Sequence, residues 1–162
     1  MELVYLGKIT STHGIKGELK IKSNFEYKEE ALKPGNDIVI NGQKYNIKTY
    51  RRHKDYEMVT LDNYKNINDV LFLLKQDVYI DKQALNDNLI LDNDLLTYSV
   101  FIDDKIGNIK EIFFASKTNK ILRITIDNKE ILVPYSKEFI KKIDKKEKKI
   151  YIELIDGMIL WK

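Results

Sequence analysis

Chemistry at a protein site needs a reactive side chain and a neighbour that tunes it, and this chain of 162 residues is sparing with both. Its two histidines, His13 and His53, stand far apart in sequence, with no HxxxH or HExxH spacing. Cysteine is absent, which removes disulfides, thiolate nucleophiles and Cys-ligated zinc or iron–sulfur centres. The carboxylate pairs Glu29-Glu30 and Asp103-Asp104 lack a companion His, and no G-x-S-x-G elbow occurs. No catalytic residue, metal site or cofactor is expected.

Two clusters remain. The first is His13-Gly14-Ile15-Lys16-Gly17-Glu18. Its G-x-x-G matches the loop with which KH domains clamp RNA, but a KH loop joins two helices, and strand-like sequence lies on both sides here. A phosphate-binding G-x-x-x-x-G-K-[ST] is absent. Two compatible readings stand: a tight inter-strand connection in which Gly14 and Gly17 take conformations that other residues resist, and a contact loop presenting His13 and Lys16 to RNA or protein. The second cluster, Arg51-Arg52-His53-Lys54, is flanked by Tyr50 and Tyr56 and reads as a hairpin tip. Cations interleaved with aromatics there suit phosphate contacts and stacking on an unpaired base; the alternative is a solvated turn. The lysines at 141, 142, 145, 146, 148 and 149 are diluted by Asp144 and Glu147 and read as a solvated face.

Bulk charge adds little. The net charge is +3, and residues 1–84 carry 14 bases and 12 acids against 14 and 13 in residues 85–162. Neither half has the one-signed field of a protein held to nucleic acid by electrostatics alone. Lysine supplies 25 of the 28 cations. That excess looks like the codon bias of an AT-rich genome, so the three arginines, with their planar forks, carry more information. Hydrophobic residues make up 43%, enough for folded domains. No apolar run reaches the roughly 20 residues of a membrane span, and no signal peptide is evident. A soluble, cytoplasmic, monomeric protein is expected.

The elements that must position these clusters follow a period of two. Strands are predicted over 3–9, 18–22, 37–40, 44–50, 56–61 and 77–81. Asn41-Gly42 is a type I′ hairpin signal. One helix interrupts them: Asn66 is placed to cap it, and Ile67, Val70, Leu71 and Leu74 form an apolar stripe that should plug one barrel end. Residues 85–93 lose the pattern and read as a linker, although Leu89-Ile90-Leu91 is too apolar for free solvent. Strands resume over 95–102, 106–114, 121–126, 130–134 and 149–154, with a bulge or bend expected at Gly107 and turn or helical spacing at Phe139, Ile140 and Ile143. The second half is thus expected to be a five-strand antiparallel unit.

The run from Leu6 to Ile21, LGKITSTHGIKGELKI, resembles the signature of the RimM ribosome maturation factors. Arg51-Arg52-His53, Val78-Tyr79-Ile80-Asp81, Lys105-Ile106-Gly107-Asn108-Ile109, Ile131-Leu132-Val133-Pro134-Tyr135, the run from Phe139 to Asp144 and the tail Asp156-Gly157-Met158 agree in order, so the resemblance spans essentially the whole chain. It implies a mainly β protein of two tandem small β-barrels with one or two short helices: a six-stranded translation-factor-like barrel (1–84), a linker (85–93) and a PRC barrel (94–162). It further implies binding to the head of the immature small ribosomal subunit, at its protein numbered nineteen and nearby ribosomal RNA, and help with assembly and rRNA processing. The residues to which contacts are assigned are His13, Gly14, Lys16, Gly17, Arg51, Arg52 and His53. Where many relatives carry a Tyr-Tyr pair and a Trp, this chain has Ile90-Leu91-Asp92-Asn93, and Thr97 replaces a glycine. Leu89-Ile90-Leu91 or Tyr98 is expected to substitute as anchor. The alternatives are a free-standing RNA-binding barrel, and a cofactor-binding reductase-type barrel for which no nucleotide or flavin signature is present.

Overall fold

The computed structural model describes residues 1–86 and 89–155. Asp87 and Asn88 of the expected linker and the Asp156-Gly157-Met158 tail lie outside them. The chain divides into two compact units, with the boundary between Leu89 and Ile90.

In the first unit the alternating strands are β1 (Leu3–His13), β2 (Glu18–Lys22), β3 (Asp37–Ile40), β4 (Gln43–His53), β5 (Tyr56–Leu61) and β6 (Asp77–Asp81). They close into a barrel in the order β1-β2-β5-β4-β3-β6. The apolar members of the alternation point inward: Leu6, Ile9, Leu19, Ile21, Ile38, Ile47, Val59, Leu61, Val78 and Ile80 are all buried. Each such side chain contributes about 1.5–3 kcal/mol of burial. The two long strands bend to close the barrel. Their register slips between Ile9 and Ser11 in β1 and between Ile47 and Thr49 in β4, bulges of the kind that turn a sheet's corner. Asn41 and Gly42, with φ of 51° and 79°, make the expected type I′ turn between β3 and β4.

The helix after β5 is shorter than its stripe suggested. It is one turn, α2 (Ile67–Val70), continued by a 3-10 turn at Leu71–Leu73; a still earlier turn, α1 (Lys28–Ala31), precedes β3. Asn66 caps α2 as expected, its side chain accepting from the Asp69 N–H at 3.3 Å. Val70 and Leu73 are buried, whereas Leu71 is 46% exposed. The tighter 3-10 turn advances the inward face by three residues, from Val70 to Leu73, in place of the four that would have chosen Leu74.

The second unit holds α3 (Asp92–Leu95), then β7 (Ser99–Ile102), β8 (Lys105–Ser116), β9 (Asn119–Ile126), β10 (Lys129–Pro134), β11 (Ile140–Asp144) and β12 (Lys149–Ile152). Its sheet order is β10-β9-β8-β7-β12-β11, with β12 and β7 parallel. Six strands and a parallel pair replace the five antiparallel strands expected. The missed strand is β11. Ile140 and Ile143 have helical spacing because a bulge between Ile140 and Lys142 inserts a residue, so a spacing of three returns to the same side. The expected strand over 95–102 begins instead with α3, whose first turn carries Asp92 and Asp94, as a helix N-terminus favours. Gly107 is neither bulged nor bent. It pairs in register with Val100, and a Cβ there would fall 2.5 Å from the Thr125 carbonyl oxygen, so the backbone approach demands glycine. Leu122, Ile124, Ile126, Ile131, Val133 and Ile150 form the core, joined from before α3 by Ile90.

Candidate functional site

The four-residue connection between β1 and β2 is fixed from both sides. Gly14 and Gly17 have φ of 75° and 81°, and a Cβ on Gly17 would lie 2.7 Å from the Asn66 carbonyl oxygen. The Ile67 N–H donates to the Ile15 carbonyl at 2.9 Å, tying the loop to the start of α2. The backbone is thereby held while the tip stays in solvent: Ile15 is 81% exposed and Lys16 is exposed.

Arg51, Arg52 and His53 do not form a loop tip. They end β4, in register with Met58, Glu57 and Tyr56, and the turn itself is Lys54-Asp55. On the strand, the Arg51 guanidinium reaches back across 33 residues to Glu18, with Nε and Nη2 donating to the two carboxylate oxygens at 2.8 and 2.7 Å. The Arg51 hydrogen bonds hold the Glu18 carboxyl below the usual range, although partial burial acts the other way. His13 and His53 lie with ring centroids 6.0 Å apart. The two clusters, separate in sequence, thus meet at one end of one barrel. Arg52 turns toward Glu57, 3.6 Å away.

Beside them runs a groove of about 1060 Å³. Its walls are the β1–β2 loop, Lys48 and Thr49 of β4, Thr60 and Leu61 of β5, and the segment Asp62-Asn63-Tyr64-Lys65. Thr49 and Thr60 share a 2.5 Å hydrogen bond there. Sequence reasoning missed the aromatic cluster at this rim: the Tyr64 ring lies 5.7 Å from Tyr45 and 6.3 Å from Phe72, and Tyr45 lies 6.4 Å from Phe72. Phe72 is 57% exposed. The signal was its place off the apolar stripe of α2, where a large ring has no core to fill.

Glu57 has a different role. It is fully buried, accepts from the Tyr50 hydroxyl at 2.7 Å, and lies 3.9 Å from the Lys28 ammonium. Burial and then this hydrogen bond push the Tyr50 hydroxyl far above the usual phenol range. The second carboxylate oxygen of Glu57, Oε2, makes no hydrogen bond.

Two of the four expected anchors, both in the second unit, are inside. Ile90 and Tyr98 (3% exposed) belong to the core, while Leu89 and Leu91 are half-buried. Tyr98 lies three residues beyond Leu95, the end of α3; its N–H donates to the Leu95 carbonyl at 3.0 Å, and both side chains belong to the same core. Among the described rings of this unit Phe114 is 52% exposed, while Phe101, stacked on Tyr151 at 5.2 Å, and Phe113, with the Arg123 guanidinium 5.4 Å from its centroid, are half-buried. Among the described residues no three His, Asp or Glu side chains come together as a metal site.

A closed six-stranded barrel followed by a second six-stranded β unit defines a tandem β-barrel protein, with its polar clusters gathered at one end of the first barrel. Residues 4–85 match the RimM N-terminal domain and residues 92–158 the RimM PRC barrel domain, so the chain belongs to the RimM family. The ribosome maturation factor RimM of Ligilactobacillus salivarius is 38% identical over 167 residues, covering 98% of this chain and 99% of that protein. That of Staphylococcus aureus (strain NCTC 8325 / PS 47) is 32% identical over 166 residues, covering 96% and 98%. Among solved structures, a RimM protein of Pseudomonas aeruginosa aligns at 19% identity with a TM-score of 0.48, covering 95% of this chain and 98% of that one. The N-terminal domain of RimM from Thermus thermophilus aligns at 21% identity with a TM-score of 0.46, covering 53% and 96%.

Proposed function

We propose that this chain is a ribosome maturation factor that acts by attachment and catalyses no reaction. It docks on the head of the immature small subunit, at the protein numbered nineteen and adjacent ribosomal RNA, and assists assembly and rRNA processing in the cytoplasm. It works as a monomer without a cofactor, through a barrel over 1–84 and a PRC barrel over 94–162 joined by residues 85–93. The observation that carries this reading is the succession of two family matches, over 4–85 and 92–158, which reproduces the two-domain order of the ribosome maturation factors. The groove supports it too. One of its carboxylates, Glu18, is held by a bidentate arginine, an arrangement that fixes a surface and occupies that group as a base.

The test is sedimentation of the purified chain with ribosomal particles. Binding to immature small subunits and much weaker binding to mature small and large subunits is expected. Equal binding to all particles overturns the reading.

A further inference from the structure

The groove's chemistry points to one kind of occupant. Its cations are Lys16, Lys48 and Lys65, and no ion pair within the described residues holds any of them. Of the two acids in its walls, Glu18 is neutralised by Arg51 and only Asp62 remains to oppose the lysines. At the rim, Tyr64 lines the groove and Phe72 stands beside it with more than half its surface in water. The Thr49 and Thr60 hydroxyls lie in the same groove, which disfavours a dry apolar anchor, since buried hydroxyls that lose water are costly.

We propose that this groove holds an unpaired segment of RNA, with bases stacked on Tyr64 and Phe72 and the sugar-phosphate chain along Lys16, Lys48 and Lys65. The inference rests on the ribosome-maturation reading and gives that reading a partner at this site. Cations that track a backbone, next to ring faces that accept any base, are the usual means of holding single strands. A duplex is a poor fit, because its bases are stacked on one another and offer no free face. Arg51 takes the part of a positioning residue. By occupying Glu18 it removes a negative charge from the phosphate path and fixes the wall on which His13 and His53 sit.

The probe is a fluorescein-labelled oligoribonucleotide of twelve unstructured nucleotides, titrated with the full chain and followed by anisotropy, beside a duplex of the same composition. Preference for the single strand is expected. Phe72→Ala, a surface truncation checked for folding by its thermal melt, should weaken single-strand binding roughly tenfold and leave duplex binding unchanged. Lys48→Ala should lower the slope of log affinity against log salt by about 0.7. Lys141→Ala, in the other unit, should change neither. Equal affinity for duplex and single strand, or a Phe72→Ala variant that binds like the parent, overturns the proposal. So does loss of binding to the isolated head protein, with RNA binding intact, in the groove variants; the groove would then be a protein site. Sedimentation with immature subunits runs alongside. If the chain still sediments but ignores the oligonucleotide, the groove inference fails alone; if it no longer sediments, the functional reading fails with it.

Discussion

The two units solve the same problem, a small β core, in different ways. The first closes its hydrogen-bonded ladder into a ring, while the second leaves β10 and β11 as terminal strands. Closure removes edges altogether; a terminal strand must be defended against pairing with foreign strands. The defence is visible in the residues: β10 ends at Pro134, and β11 carries Lys141, Lys142 and a bulge. Charge is handled differently as well. On the second unit Arg123 lies 3.8 Å from Glu111 and 3.3 Å from Glu130, which also takes Lys110 at 2.6 Å, so this face neutralises itself. On the first, the Arg51–Glu18 pair neutralises an acid and leaves the groove lysines to water. One sheet face is finished by its own ion pairs; the other keeps its lysines in solvent.

If the units are separate modules, damage to one should spare the other. Gly17 has φ of 81° and no room for a Cβ. Gly17→Val is expected to cost about 2–3 kcal/mol, lowering the first unit's calorimetric transition by roughly 10–20 °C and leaving the second in place. A fall of both together would end the picture of independent barrels. A smaller contrast separates the charged groups. Glu57→Ala strands the Tyr50 hydroxyl and takes the carboxylate from Lys28 and Arg52, at an expected cost of about 2 kcal/mol. Its counterpart in the second unit is Lys120, only 13% exposed and 2.7 Å from Asp92 of α3. Lys120→Met keeps the hydrophobic stem and should cost about 1 kcal/mol. Urea titrations of both variants check the order.

The strands of the first barrel were legible because alternation and turn chemistry agreed: Asn41-Gly42 marked a hairpin, and its φ values are those the turn needs. The sequence misled where local geometry changed the period. Ile140 and Ile143 have the spacing of a helix, yet a bulge in an edge strand produces the same spacing. Leu71 fits a helical stripe but lies where the turn tightens. In the site, composition singled out His13, Lys16, Arg51 and His53, but no periodicity reports that Glu18 lies within reach of Arg51. That contact depends on β2 and β4 flanking β5, a long-range order. The burial of Tyr98 was hidden for a related reason: an aromatic beside a turn fits core or surface equally well until the partner strand is known.

The smallest expected effect is also the most selective. Glu18 and Glu130 are both held below the usual carboxylate range, the first chiefly by hydrogen bonds from Arg51 and the second chiefly by one from Lys110. A carboxyl whose folded pKa is depressed stabilises the fold above its unfolded pKa, about 4.3 for glutamate, and loses that contribution as pH falls through the folded value. The melting temperatures of the parent and Arg51→Ala should therefore differ at pH 7 and converge below about pH 4. Lys110→Ala should show the same convergence with a smaller gap, because the Glu130 side chain is 41% exposed against 14% for Glu18, and water screens the pair. A gap for Arg51→Ala that persists unchanged at pH 3 would mean the arginine acts by packing over Met58, its strand neighbour, and not through charge. Glu18 would then no longer be the reason the groove lysines stand alone.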